Sequence, residues 1–208
     1  MTPPVTSPDA PSPDAPSPDA SPDHLPRRRR PRAVLAAALA VAVVVGVLVG
    51  VLATRPSASS TAAASPLLGK PAPDVGGPAL TGGSVDLSAM RGRFVVVNFF
   101  ASWCPPCQVE ESELVQFAYQ HRAVGDAQVL GVVFADRSTS AAHFLSSTGA
   151  AWPAVADPGG QVALAYGVRG PPETFVVAPD GLVVARLVGA VKATDLDQVL
   201  SRARAEGA

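Results

Sequence analysis

Two kinds of apolar pattern divide this chain of 208 residues. The 21 residues of 33–53 carry no charge, and about 20 apolar residues are enough to cross a bilayer as a helix. After residue 66 the apolar residues instead occur in short runs that polar and turn residues separate. The pattern therefore predicts a transmembrane helix at 33–53 and one folded domain at 67–208, which is close to the commonest domain size.

The domain alternates strand-like and helix-like segments. Near-continuous β-branched and aromatic runs at 92–101 and 128–135 predict strands buried on both faces. Two further strands flank the hairpin signal "PDG", and an edge hairpin is expected around "LTGGSVDL". Helical patterns follow at 105–122, at 139–149, and at 194–206 with Thr194 or Asp195 as cap. This order predicts an α/β domain with a mixed central sheet.

The flanking segments suggest how the domain is presented. Residues 1–32 contain the repeat "SPDAPSPDAPSPDASPD" and a basic run. Too few apolar residues are present for a packed core, so we expect a disordered tail. The arginines lie before the apolar segment, which by the positive-inside rule places the tail in the cytoplasm and the domain outside. Residues 54–66 predict a flexible linker. The alternative is a cleaved signal peptide, because small residues follow the apolar run.

The only two cysteines lie in "WCPPC", at Cys104 and Cys107. A structural disulfide across so short a loop would restrain little, and zinc would need two more ligands. His24, His121 and His143 show no ligand spacing, so we expect no metal and no cofactor, although a Cu(I) site made by the two thiols stays open. A helix amino terminus favours a thiolate. We therefore expect an exposed Cys104 to attack a disulfide, and Cys107, one turn inside, to resolve the mixed intermediate.

Two motifs resemble one known family. "VVVNFFASWCPPCQVEESEL" and "YGVRGPPETFVVAPDG" are similar to segments of the TlpA-like, membrane-tethered thioredoxin-fold proteins, which include the ResA and CcmG types. The resemblance covers most of residues 67–200 and implies a thioredoxin-like fold with a cis-proline at Pro172. It also implies that substrate contacts Trp103, Pro171 and Glu173.

This chain differs from thioredoxins at one buried polar position. Thioredoxins carry a buried aspartate six residues before the first cysteine, where this chain has Asn98. Glu110 follows Cys107 by three residues, on the same helix face, and the family carries a matching glutamate. Our hypothesis is that Glu110 relays the proton of Cys107, and the alternative is a solvated glutamate near the helix start.

These observations predict an extracytoplasmic thiol–disulfide oxidoreductase, anchored in the cell membrane by a single span. Pro105 and Pro106 have no N–H to stabilise the Cys104 thiolate, which favours a reductase of exported disulfide-bearing proteins. The resemblance suggests apocytochrome c as one client. Electrons would come from a separate membrane thiol-transfer protein, and a net charge of −1 gives no hint of a nucleic-acid partner.

Three other functions stay open. The first is a dithiol oxidase or isomerase. The second is a peroxiredoxin-like peroxidase, although Ala101 stands where such enzymes carry Thr or Ser. The third is a copper-delivery module.

Overall fold

The computed structural model describes residues 31–53 and 60–208. They belong to two compact units, residues 1–55 and 56–208. In the first unit, helix α1 spans Pro31–Ala53. By length and apolar character together, none of the helices within the described residues qualifies as a membrane span. The tail and most of the basic run, as well as residues 54–59 of the linker, lie outside the described residues.

The second unit contains eight described strands and four described α-helices, with a short 3-10 helix at Leu87–Met90. The helices are α2 Pro105–Arg122, α3 Ser138–Thr148, α4 Gln161–Tyr166 and α5 Ala193–Ala205. The strands are β1 Thr61–Ala62, β2 Gly76–Pro78, β3 Ser84–Asp86, β4 Phe94–Phe100, β5 Ala127–Val133, β6 Ala154–Ala156, β7 Glu173–Val177 and β8 Val183–Val188.

Six of the strands form one mixed sheet in the order β1-β8-β7-β4-β5-β6. Strand β4 is parallel to β5 and antiparallel to β7. Strand β5 is parallel to β6, whereas β8 is antiparallel to both β7 and β1. The predicted α/β domain with a mixed central sheet is therefore confirmed.

The central strand β4 is buried at every position because both of its faces are covered. Phe94, Val96 and Phe100 pack into the cluster that contains the buried faces of α2 and α5. The alternate residues pack on the other face, against Tyr166 of α4 and Phe175 of β7. Asn98 has the same parity as the first set, and side chains alternate along a strand, so this polar residue faces α2.

Some short elements differ from those that the sequence patterns predicted. Strand β6 and helix α4 were not predicted, because three and six residues are too few to show a clear period. Strand β1 lies inside the segment predicted as a flexible linker, where Thr61 pairs with Val188. The hairpin of β2 and β3 was predicted, but it forms a separate two-stranded sheet that meets β6 at a single bridge between Ala79 and Val155.

The predicted cap of the last helix is wrong. Lys192 occupies the N-cap of α5, while Thr194 and Asp195 lie inside the first turn. The Asp195 carboxylate reaches back to accept the backbone N–H of Lys192 at 3.2 Å. The helix therefore begins earlier than the pattern indicated, and Asp195 satisfies a free N–H from the third helical position.

Candidate active site

The two cysteines form a disulfide at the start of α2, with their Cα atoms 5.3 Å apart. Cys104 is the N-cap residue, and Pro105 and Pro106 occupy the first two helical positions. The N–H of Cys107 donates to Cys104 Sγ at 3.3 Å. Neither proline has an N–H, so the amide of Cys107 and the helix dipole remain to stabilise a Cys104 thiolate, as the sequence predicted.

The expectation that Cys104 lies exposed is wrong. Cys104 is 2% exposed and Cys107 is fully buried. The neighbouring Trp103 is 55% exposed and Pro105 is exposed too, so the surface beside the disulfide consists of these flanking side chains. In this conformation Cys104 therefore presents little surface to an incoming sulfur.

The second motif places a cis peptide bond between Pro171 and Pro172, as predicted. Pro172 is buried and Pro171 is half-buried. The next residue, Glu173, opens β7 and pairs with Phe99 near the end of β4, so the cis-proline lies at the end of the sheet from which the chain leaves toward the cysteines. The carbonyl of Pro172 accepts the N–H of Gly189 at 3.0 Å.

Glu173 is 2% exposed and pairs with Phe99 of β4 and with Val188 of β8, which contradicts the expectation that a substrate contacts it. Its carboxylate accepts the backbone N–H of Arg169 at 2.8 Å and pairs with Arg186 Nη2 at 2.7 Å and Nε at 3.0 Å. The ion pair ties the segment before the cis-proline to β8. Sequence reasoning missed Arg186, since no local signal pairs residues that meet only across two strands.

Glu110 is 1% exposed, which excludes the solvated alternative. Its Oε1 accepts from Asn98 Nδ2 at 2.9 Å, and its Oε2 accepts the N–H of Val191 at 3.0 Å. Burial raises the pKa of Glu110 to about 7, against the opposing effect of these two donors. The Asn98 amide also donates to Thr174 Oγ1 at 3.0 Å, which links the glutamate to the strand that follows the cis-proline.

The loop after β5 fixes the segment before the cysteines. Trp103 donates its indole N–H to the carbonyl of Ala135 at 3.2 Å. The Asp136 carboxylate accepts the backbone N–H groups of Ser102 and Arg137, both at 2.7 Å. Ala135 holds a positive φ of 46°, which places its carbonyl within this network. Sequence reasoning missed Asp136, although a carboxylate directly after a buried strand was a possible signal.

The described residues contain no cluster of three or more His, Cys, Asp or Glu side chains that could hold a metal. His121 instead lies between Asp126 at 2.7 Å and Asp197 at 2.9 Å. His143 is exposed on α3. The two sulfurs are joined to each other, so copper binding by the thiols would first require the disulfide to be reduced.

Comparisons with known proteins agree with this geometry. The model of the AhpC/TSA family matches residues 68–186. A thiol:disulfide interchange protein, the DsbE homolog of Paracoccus denitrificans, is 38% identical over 129 residues, 60% of this chain and 68% of that protein. The thiol-disulfide oxidoreductase ResA of Bacillus subtilis is 32% identical over 52% of this chain and 60% of that protein, so the match spans less than two thirds of ResA.

Solved structures agree as well. A crystal structure from Chlorobium tepidum, assigned as a thiol:disulfide interchange protein DsbE, is 33% identical with a TM-score of 0.59. The alignment covers 65% of this chain and 96% of that one. With the matched family model, the cysteine pair at a helix start and the cis-proline, these findings show that the chain belongs to the AhpC/TSA family of thioredoxin-fold proteins, among the DsbE- and ResA-type thiol–disulfide oxidoreductases.

Proposed function

We propose that this protein is an extracytoplasmic thiol–disulfide oxidoreductase that reduces disulfides of exported proteins through Cys104 and Cys107. The observation that carries the proposal is the cysteine pair at the amino terminus of α2, in a fold that also holds a cis-proline at the same end of the sheet. By the family resemblance, apocytochrome c is one expected client.

The first step uses the helix start. In the reduced protein the Cys104 thiolate attacks one sulfur of a substrate disulfide, and the other substrate sulfur leaves as a thiolate. The Cys107 N–H and the dipole of α2 stabilise the attacking thiolate. The product is a mixed disulfide between Cys104 and the substrate.

The second step needs a proton acceptor inside the protein. Cys107 is fully buried, so its thiol cannot lose its proton directly to water. Glu110, on the next turn of α2, takes that proton, and the Cys107 thiolate attacks Cys104 Sγ. The bond to the substrate breaks, the second substrate thiolate leaves, and the protein dithiol has been oxidised by two electrons while the substrate disulfide has been reduced.

A reducing direction rests on the weak stabilisation of the Cys104 thiolate. One backbone N–H reaches its sulfur, because the two intervening prolines have none to offer. A weakly stabilised thiolate corresponds to a stable protein disulfide and therefore to a reducing couple. The protein must then be reduced again, and we propose a membrane thiol-transfer protein as its electron donor.

We also propose that the protein is anchored in the cell membrane with its amino terminus in the cytoplasm. The proposal rests on the uncharged sequence of residues 33–53 and on the arginines that precede it. Residues 34–50 of α1 are all exposed, and a large exposed apolar surface is typical of a membrane or protein interaction site, which supports the proposal. Alkaline carbonate extraction of membranes tests the anchor: retention of the protein supports it, and release contradicts the anchor without affecting the redox proposal.

Insulin reduction tests the redox proposal. The full-length chain in detergent, reduced by dithiothreitol, is expected to precipitate the insulin B chain, and Cys104→Ser is expected to abolish this activity. Cys107→Ser is expected to accumulate the mixed disulfide with insulin, because the attacking sulfur remains and the resolving one is gone. Equal activity of the wild type and Cys104→Ser would refute the proposal.

The role of Glu110 has its own test. Glu110→Gln is expected to slow resolution of the mixed disulfide and to remove the pH dependence near 7 from that step. Glu206→Gln, at the exposed glutamate that ends α5, is the matched control and should keep the wild-type profile. A profile that Glu110→Gln leaves unchanged removes Glu110 from the mechanism.

A further inference from the structure

A second buried carboxyl group lies beside Glu110. Glu111 is 3% exposed, and the mechanism above does not use it. On α2, Glu110 and Glu111 follow Cys107 by three and four residues, so both lie one turn from the resolving sulfur. Like charges on neighbouring buried groups disfavour ionisation of both, and the charge of Glu111 further raises the pKa of Glu110.

The hydrogen-bond partners of the two carboxyl groups differ in kind. Glu110 accepts from two N–H groups, the amide of Asn98 at 2.9 Å and the backbone of Val191 at 3.0 Å. The N–H of Val191 can only donate, so its partner oxygen has to accept. Two N–H donors stabilise the ionised form of Glu110 relative to the protonated form.

The partner of Glu111 is a hydroxyl, which can also accept. Thr148 Oγ1 lies 3.1 Å from Glu111 Oε1, but also 3.0 Å from the carbonyl oxygen of Leu145 and 3.2 Å from that of Phe144. A hydroxyl has one hydrogen, and the two carbonyls can only accept. When this hydrogen points to a carbonyl, a lone pair of Thr148 faces Glu111. Glu111 then donates to Thr148 as a neutral carboxylic acid.

The charged side chains on the elements that pack against α2 do not offset the negative charge of a second carboxylate there. Helix α2 packs against β5, α3 and α5. Strand β5 has no ionisable side chain, and α3 contributes only the exposed His143. The charged side chains of α5 are Asp195, Asp197, Arg202 and Arg204. Among the described residues, none of these forms an ion pair with either glutamate.

Burial acts in the same direction on both groups. It raises the pKa of Glu111 to about 7, against a smaller lowering by the hydrogen bond with Thr148. It also raises the pKa of Glu110 to about 7, with a further increase from the neighbouring Glu111. These effects show that a proton is retained but do not assign it to one carboxyl. The hydrogen-bond partners favour Glu111 as the protonated group, because Glu110 faces two N–H donors whereas Glu111 faces a hydroxyl that can also accept.

We propose that Glu111 holds the proton of this pair and thereby keeps Glu110 ionised as the acceptor for the Cys107 proton. Glu111 is then a positioning residue, which acts through Glu110 and touches neither sulfur nor substrate. The inference rests on the proposed function, in which Glu110 accepts that proton during resolution.

Carbon-13 NMR of the glutamate side-chain carboxyls, recorded against pH on the full-length chain in detergent, tests the proposal. Glu110→Gln and Glu111→Gln assign the two resonances. We expect Glu111 to take up its proton at higher pH than Glu110 in the wild type. In Glu110→Gln the titration of Glu111 should move to lower pH, on the order of one unit, because the neighbouring carboxylate is gone. In Glu111→Gln the titration of Glu110 should stay near its wild-type position, because the neutral amide replaces a carboxyl group that is already neutral when Glu110 titrates. Glu206→Gln, at an exposed glutamate outside this region, should move neither titration, and a higher titration for Glu110 than for Glu111 overturns the proposal.

Thr148→Val gives a second result that does not depend on a substituted glutamate. If the hydroxyl accepts from the neutral acid, its loss destabilises that form, and Glu111 should titrate at lower pH. If the hydroxyl donates to the carboxylate, its loss should move the titration to higher pH, which overturns the proposal. Thr148→Ser keeps the hydroxyl and is the matched control.

Insulin reduction, measured on the same preparations, separates this inference from the proposed function. A reversed order of titration with reductase activity intact refutes the role of Glu111 alone. An absence of reductase activity in the wild type refutes the proposed function, while the order of titration can still be read.

Discussion

The ion pair between Glu173 and Arg186 links the cis-proline segment to the sheet. Substituting each partner alone and then both together tests how much this pair contributes to the stability of the protein. The Glu173 side chain is 2% exposed and that of Arg186 is 14% exposed. Both Nη2 and Nε of Arg186 reach one carboxylate oxygen, and the backbone N–H of Arg169 reaches the other. The pair is therefore largely removed from water, where the loss of one partner is costly.

The expected magnitudes follow from what each substitution leaves behind. Arg186→Leu leaves a buried carboxylate with one backbone donor, and breaking a buried pair in this way costs about 3–5 kcal/mol. Glu173→Gln can keep the contact with Arg169 through its amide oxygen, and Arg186 still donates to the carbonyl of Ala64. We expect this variant to lose about 1–3 kcal/mol. The double variant leaves no unpaired charge, so its cost should be below the sum of the two by about 1–3 kcal/mol.

Urea unfolding of the full-length chain in detergent measures these energies through the fluorescence of Trp103 and Trp152. Arg169→Leu is the matched control, because Arg169 joins the network only through its backbone N–H and its side chain is exposed. Insulin reduction by the folded variants should fall where the segment before the cis-proline is released. Costs that add to within about 0.5 kcal/mol would show that the two residues are energetically independent and would refute the reasoning.

Three further predictions concern other parts of the domain. Because burial raises the pKa of Glu111 from 4.5 to about 7, the folded state binds this proton more tightly than the unfolded chain, and stability is lost as pH rises through about 7. Glu111→Gln should therefore be more stable than the wild type at pH 8, by up to about 3 kcal/mol, with little gain at pH 4, and urea unfolding at both pH values checks this. Asp136→Ala should destabilise the protein by about 1–3 kcal/mol and slow insulin reduction, since it frees the N–H of Ser102, whereas Asp136→Asn should recover part of both losses. Gly131→Ala should cost about 1–3 kcal/mol in the same assay, because the added Cβ would lie 2.9 Å from that of Ala154; an unchanged unfolding midpoint would contradict this packing.

Much of the fold and the attacking pair could be predicted from local patterns. The sequence of β4 predicts a buried strand, because a strand covered on both faces is apolar at successive positions. The start of α2 follows from two prolines that tolerate the first helical turn. These features depend on neighbours in sequence, so a single chain is enough to indicate them. The cis bond before Pro172 was instead implied by the resemblance of "YGVRGPPETFVVAPDG" to the family.

Other features required distant residues to meet. The exposure of Cys104 was predicted from its place at a helix start, but packing around the start of α2 leaves it 2% exposed. The short elements β6 and α4 gave no clear period, and their conformation is set by the sheet edge and core that they pack against.

The sequence by itself determined that this chain carries two thiols at the start of a helix, with a glutamate one turn further on. The tertiary structure alone decided which groups surround that glutamate: Asn98 from β4, Val191 from the segment before α5, and Glu111 beside it, held in turn by Thr148 of α3. The physical reason is that a carboxyl group's proton affinity depends on its burial and on the donors that face it. Both are supplied by segments up to 81 positions away along the chain.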